Sequence, residues 1–146
     1  MNIAIYPRKS KKDDNSESME QQIDDCKKYI NKTYPNANII VYSGDYAITG
    51  HSTAKRKDFQ RMMDDVRAGR INAVVIMRYD RIARNMRDFC NLYHDMEGAG
   101  CNLISVSQQI DTSTPYGKNF MYRQPGTASI KSRNGSGRER NRKEGK

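Results

Sequence analysis

Ala73-Val74-Val75-Ile76-Met77 is an unbroken run of five apolar residues, and it decides the fold. A strand with one wet face alternates apolar and polar residues. A run with no polar face belongs to a strand covered on both sides, as in a parallel sheet between helical layers. Working outward, shorter runs of strand character occur at 3–6, 39–42 and 102–106. The segments between them have helical spacing. Met19, Ile23, Cys26 and Ile30 predict a helix over 18–32, with Ser18 and Gln21 resembling a capping box. Phe59, Met62, Met63 and Val66 share a face over 57–68, with Gly69 as the stop. Phe89, Cys90, Tyr93 and Met96 do the same over 86–97, ended by Gly98 and Gly100. Thr114 before Pro115 predicts the start of a fourth helix. Strand and helix in alternation predict an α/β, three-layer domain: a mostly parallel sheet of four to five strands with helices on both faces.

The 146 residues suit one domain with a real core. No apolar run is long enough for a membrane span, and residues 3–6 are too short for a signal segment. The reading places the chain in a cytoplasm, with no membrane partner. Cys26, Cys90 and Cys101 have no close pairing, so core packing is expected rather than a disulfide framework or zinc site. His51 and His94 lack ligand-spaced neighbours, so no metal is expected. The net charge is +9, but residues 123–146 hold 8 of the 26 Lys and Arg and only 2 of the 17 Asp and Glu. A basic chain suits a polyanionic partner, though most of the excess lies in the tail.

In a parallel sheet the working site lies outside the carboxyl ends of the strands. Ser10 follows the first strand, residues 45–50 the second and residues 80–84 the third. Arg8 and Ser10, two apart, share one side of a strand end. A serine hydroxyl among arginines, without a histidine base or metal ligands, points to a phosphate-directed nucleophile. Arginines neutralise a phosphate, hold it by paired hydrogen bonds and stabilise charge developing at phosphorus. Arg81 and Arg84 share a face if they lie on one helical turn. Asp80 either orients an arginine or protonates a leaving oxygen. Singly, each piece has a plainer reading: a surface loop, a solvated helix start, or Tyr6 as rim packing.

Together they form an ordered series. It runs Tyr6-x-Arg8-x-Ser10, Ser18-Met19-Glu20-Gln21-Gln22, Asp45-x-x-x-Thr49-Gly50 and Arg56-x-x-Phe59-Gln60-x-Met62. It continues with Val74-Val75-Ile76-x-x-x-Asp80-Arg81-Ile82-x-Arg84-Asn85, Leu103-Ile104-Ser105 and Ile110-Asp111-Thr112-Ser113-Thr114-Pro115-x-Gly117. Over about residues 2–122 this resembles the catalytic domain of the serine recombinases (resolvases, invertases and large serine integrases). The Ile110–Pro115 stretch is most similar to the large transposon and phage branch. The resemblance implies that Ser10 attacks a DNA phosphodiester to give a 5′-phosphoserine link and a free 3′-hydroxyl. It implies Arg8, Arg81 and Arg84 on the scissile phosphate, and Asp80 as proton donor or arginine-orienting group. Tyr6, Gln22, Asp45, Arg56 and Thr49 would support them, Thr49 standing where the family has serine. Double-stranded DNA is the implied partner, and the bond energy kept in the covalent intermediate removes any need for a cofactor or metal.

The family's fourth helix is long, carries an Ala-Glu-x-Glu-Arg type segment and forms the dimer or tetramer interface. None of that is recognisable after Tyr122. The expectation is therefore a catalytic domain over 1–122, truncated before that helix by a frameshift or natural stop, and a basic, disordered tail over 123–146. Such a chain recombines DNA poorly or not at all alone. The alternative is a non-catalytic protein that binds DNA or a full-length recombinase. A nucleotide-binding α/β domain is a third reading, opposed by the lack of a glycine-rich loop after the first strand.

Overall fold

The computed structural model describes residues 1–9, 18–46 and 56–124. Strands β1 (Asn2–Ile5), β2 (Asn38–Val41), β3 (Ala73–Ile76), β4 (Asn102–Ser105) and β5 (Ile110–Asp111) form one sheet, and helices α1 (Met19–Thr33), α2 (Lys57–Arg67), α3 (Met86–Gly98) and α4 (Pro115–Arg123) cover it. The spatial order is β2-β1-β3-β4-β5. The first four strands are parallel, with Ile3 opposite both Ile39 and Ala73, and Val74 opposite Leu103. β5 returns antiparallel beside β4, pairing Ile110 with Ser105. The sequence pattern misses β5 because a two-residue strand has no period to read.

Side-chain alternation divides the core. Ile3, Ile5, Ala73, Val75, Met77 and Ile104 pack on Cys26 and Ile30 of α1. Ala4, Tyr6, Val74, Ile76 and Leu103 point the other way, onto Met62, Met63 and Val66 of α2, Phe89, Cys90, Tyr93 and Met96 of α3, and Met121 of α4. β3 is buried at every position, which is why its run has no polar face. The expected three layers are present. All three cysteines are buried and free of disulfides.

Helix ends follow their local chemistry. Ser18 Oγ accepts from Gln21 N at 3.1 Å, but Gln21 donates its side-chain amide to Asp25 at 2.9 Å, so only one arm of the expected capping box forms. Gly69 and Gly100 take positive φ of 80° and 76° after α2 and α3. Thr114 Oγ1 accepts from Gly117 N at 3.1 Å and donates to Asp111 O at 2.7 Å, capping α4 as expected. α4 ends at Arg123, next to the predicted break. The tail read as disordered falls, from residue 125 onward, outside the described residues.

The Ile110–Pro115 motif now has a physical account. Asp111 Oδ2 accepts from Tyr29 and Tyr34 hydroxyls of the α1 side, each at 3.0 Å. Its Oδ1 accepts from Ser113 N at 2.9 Å and Ser113 Oγ at 2.6 Å. Thr112 Oγ1 accepts from Leu103 N at 2.9 Å, satisfying a buried amide of β4.

Burial, reinforced by carboxylate neighbours, raises several tyrosines. Tyr29 beside Asp111, Tyr42 beside Asp65 and Tyr122 beside Glu97 are each pushed up to about 12. The folded state keeps these protons to a higher pH than the unfolded chain, whose tyrosines release them near 10. Their stabilising contribution is therefore complete below about pH 10 and declines as pH climbs towards 12. The urea midpoint should be clearly lower at pH 11 than at pH 8, with the buried Cys101 thiol, raised from 9.0 to about 12, adding to the fall. A midpoint unchanged at pH 11 would contradict the assignment.

Candidate active site at the carboxyl edge of the sheet

β1 ends at Ile5, and the chain continues extended through Tyr6, whose N–H reaches Val75 O at 3.3 Å. Arg8 follows, only 5% exposed. Its backbone is gripped on both sides. Gln22 of α1 accepts from Arg8 N at 3.2 Å and donates to Arg8 O at 2.9 Å. Arg81 Nη1 donates to the same carbonyl at 2.9 Å. Gln22 is thus a polar residue buried on the inner face of a helix because its amide pairs with a peptide group. Lys9 N donates to Tyr46 O at 3.1 Å, tying the segment to the exit of β2.

Asp45 lies beyond β2 and is almost wholly buried. It accepts the Tyr6 hydroxyl at 2.7 Å, Asp58 N at 3.1 Å and Phe59 N at 2.9 Å. The last two are first-turn amides of α2, whose N-cap residue Arg56 makes no side-chain cap bond. Asp45 therefore caps α2 from outside it. The Tyr6 hydroxyl donates to Asp45 and turns an oxygen lone pair towards Arg8 Nη1 at 3.5 Å. Burial outweighs the nearby guanidinium groups and pushes Tyr6 up to about 12, so it remains a donor at neutral pH.

Beyond β3 the chain makes a 3₁₀ turn, Tyr79–Arg81. Asp80 lies between Arg78 Nε at 3.4 Å and Arg81 Nε at 3.6 Å. Arg56 donates to Ile82 O, just past this turn, at 3.1 Å and stacks over Phe59 with 4.2 Å to the ring centroid. Desolvation lowers the Arg56 pKa. The geometry brings Tyr6, Arg8, Gln22, Asp45, Arg56, Asp80 and Arg81 together. It does not put Arg84 on a helical turn with Arg81. Ile82 closes the 3₁₀ turn, so Arg81 is tucked in while Arg84 is exposed beyond it. Ser10 and Thr49 lie outside the described residues. Chemically, buried guanidinium groups beside few carboxylates suit an anion with several oxygens.

The sequence reading overlooked the turn after β4. Ser105, Ser107 and Gln108 bond to the chain leaving β3. The available signal was positional: this turn is the fourth carboxyl-end segment of the parallel strands.

A family model described as the resolvase N-terminal domain matches residues 3–146. The chain belongs to that family. The resolvase-family domain is similar in structure to the N-terminal catalytic domain of TP901-1 integrase, with a TM-score of 0.71 and 25% identity over 93% of this chain and 98% of that one. It is also similar to a resolvase family site-specific recombinase from Streptococcus pneumoniae, with a TM-score of 0.65 and 26% identity over 92% of this chain and 89% of that one. In sequence it is 35% identical over 72 residues to the integrase-like protein y4lS of Sinorhizobium fredii, which is 49% of this chain and 38% of that protein. The chain spans about a third of the length of the curated relatives it matches. Among the described residues, no helix of this resolvase-family domain is long and apolar enough to cross a membrane.

Proposed function

We propose that this resolvase-family domain is the catalytic part of a site-specific DNA recombinase, with double-stranded DNA as substrate and Ser10 as nucleophile. The Ser10 Oγ–phosphorus bond forms as the bond from phosphorus to the 3′ oxygen breaks. The serine gives up its proton to solvent, and the leaving oxygen takes one up, with Asp80 as its donor or as the group that aims Arg81. The product is a 5′-phosphoserine link and a free 3′-hydroxyl, and the reverse attack reseals the strand without an added energy source. Arg8, Arg81 and the exposed Arg84 bind the phosphate. Tyr6, Gln22, Asp45 and Arg56 hold Arg8 and the turn that carries Arg81, and Thr49 serves beside them.

One observation carries the reading. Arg81 donates to the carbonyl of Arg8, 73 positions earlier, so two arginines meet where the chain leaves β1, two residues before Ser10. Charge stabilisation of this preorganised kind is usually the largest single contribution to phosphoryl transfer.

The test is a denaturing gel of end-labelled duplexes of randomised sequence, each nicked in one strand to trap the intermediate. A covalent adduct is expected with the native chain, absent in Ser10→Ala. An adduct that persists in Ser10→Ala would exclude Ser10 as the nucleophile. No adduct from folded protein would favour a DNA-binding protein that does not cut.

A further inference from the structure

We propose that Gln108, in the turn between β4 and β5, is a positioning residue for Arg81; this rests on Arg81 being a phosphate-binding group as read above. The turn is built to reach the exit of β3. Gln109 takes a positive φ of 56°, and its N–H bonds back to Val106 O at 3.2 Å. This folds residues 105–108 against the chain leaving β3. Met77 O there accepts from Ser107 N at 2.9 Å and Ser107 Oγ at 2.6 Å.

Gln108 acts two residues further on. Its Oε1 accepts from Tyr79 N at 3.0 Å and from Ser105 Oγ at 2.7 Å. Tyr79 opens the 3₁₀ turn, so its amide is one of the donors that a short helix cannot satisfy internally. The N-cap of that turn, Arg78, offers no side-chain cap. Gln108 supplies the cap from the neighbouring turn. Because the Tyr79 N–H can only donate, the atom facing it is the amide oxygen of Gln108 and not its nitrogen.

The link to Arg81 is short and rigid. Within the turn, Arg81 N bonds to Arg78 O at 3.0 Å and Ile82 N to Tyr79 O at 3.2 Å. Any shift of Tyr79 thus moves the Arg81 Cα. The Arg81 side chain is 9% exposed and its Nη1 is fixed on Arg8 O, so it has little room to compensate. Arg56 holds the far end of the turn through Ile82 O. Among the described residues, Gln108 and Arg56 thus bond to the two ends of the turn from other segments.

The test compares Gln108→Met, which keeps the shape and removes the acceptor, with Gln108→Glu, which keeps the acceptor. Two signals are read by ¹⁵N NMR on the full chain without DNA: exchange of the Tyr79 amide and sharpness of the Arg81 Nε–H line. Gln108→Met should speed Tyr79 exchange about tenfold and broaden the Arg81 line to that of exposed arginines. Gln108→Glu should restore both. On the nicked duplexes, Gln108→Met should slow adduct formation about tenfold at saturating DNA, with the DNA concentration for half-saturation unchanged. Native-like Arg81 and Tyr79 signals in Gln108→Met would overturn the proposal, as would failure of Gln108→Glu to restore them. If Gln108→Met does not fold, Gln108→Glu decides alone: retained signals support the assignment and lost signals refute it. If the native chain forms no adduct, the serine chemistry fails, while the two NMR signals still decide the role of Gln108.

Discussion

Asp45→Ala should lower stability by about 3–5 kcal/mol, since hydrogen bonds to a charged group contribute about 1.5–3 kcal/mol each and do not add fully. The substitution orphans three donors at once: the Tyr6 hydroxyl and the amides of Asp58 and Phe59. The Tyr6 hydroxyl is fully buried and cannot turn to water, and the two amides lose the cap of a helix whose own N-cap residue supplies none. Asp45→Asn should fall between, since it keeps one oxygen but points an NH₂ group at a donor. Urea denaturation of the three proteins measures this directly. A loss below about 1 kcal/mol in Asp45→Ala would show that the carboxylate is not the cap of α2. The tyrosine should respond as well. Without its acceptor, the hydroxyl no longer presents a fixed lone pair to Arg8, so adduct formation should fall even where the protein remains folded.

The second large effect runs against a general rule. Glycine inside a helix costs about 1 kcal/mol relative to alanine, so Gly→Ala there usually stabilises. Gly117 lies in the first turns of α4, yet Gly117→Ala should destabilise by about 3 kcal/mol, at the upper end for overpacking. A Cβ built at this position would run into Asp111 O and lie 2.5 Å from its carbonyl carbon. Those are backbone atoms of β5, and they cannot rotate away. Relief requires α4 to lift off the sheet, which also breaks the Thr114 cap and loosens Met121 from the core. A melting temperature equal to or above that of the native chain would disprove the contact.

Much of this architecture was legible because burial writes itself into residue choice. The faces of α2 and α3 follow from apolar spacing, and β3 from its unbroken run. Thr114-Pro115 marks the start of α4 because the capping chemistry is local. The site was legible as a set of segments, since parallel strands deliver their carboxyl ends to one edge. Its wiring was not. Nothing near Asp45 in sequence says that it caps a helix starting at Lys57, and nothing near Gln22 says that it clasps the peptide of Arg8. Such bonds join residues far apart in the chain, and they appear only when the sheet is assembled. The helical reading of Arg81 and Arg84 failed for the opposite reason. Spacing of three suits a helix, but the chain there makes only one 3₁₀ turn before Ile82 redirects it.

Among the described residues, α1 is the helix packed on one face of the sheet, and it is attached at both ends. Near its start, α1 holds the Arg8 peptide through Gln22; near its end, Tyr29 and the following Tyr34 hold Asp111. Between them, Cys26 and Ile30 seal the core of that face. Unfolding of α1 therefore loosens the carboxyl edge of the sheet, because the Gln22 bonds to the Arg8 peptide depart with the helix. Ligand occupancy at that edge and the breathing of α1 are thermodynamically linked, so whatever binds there also tightens the sheet's other surface.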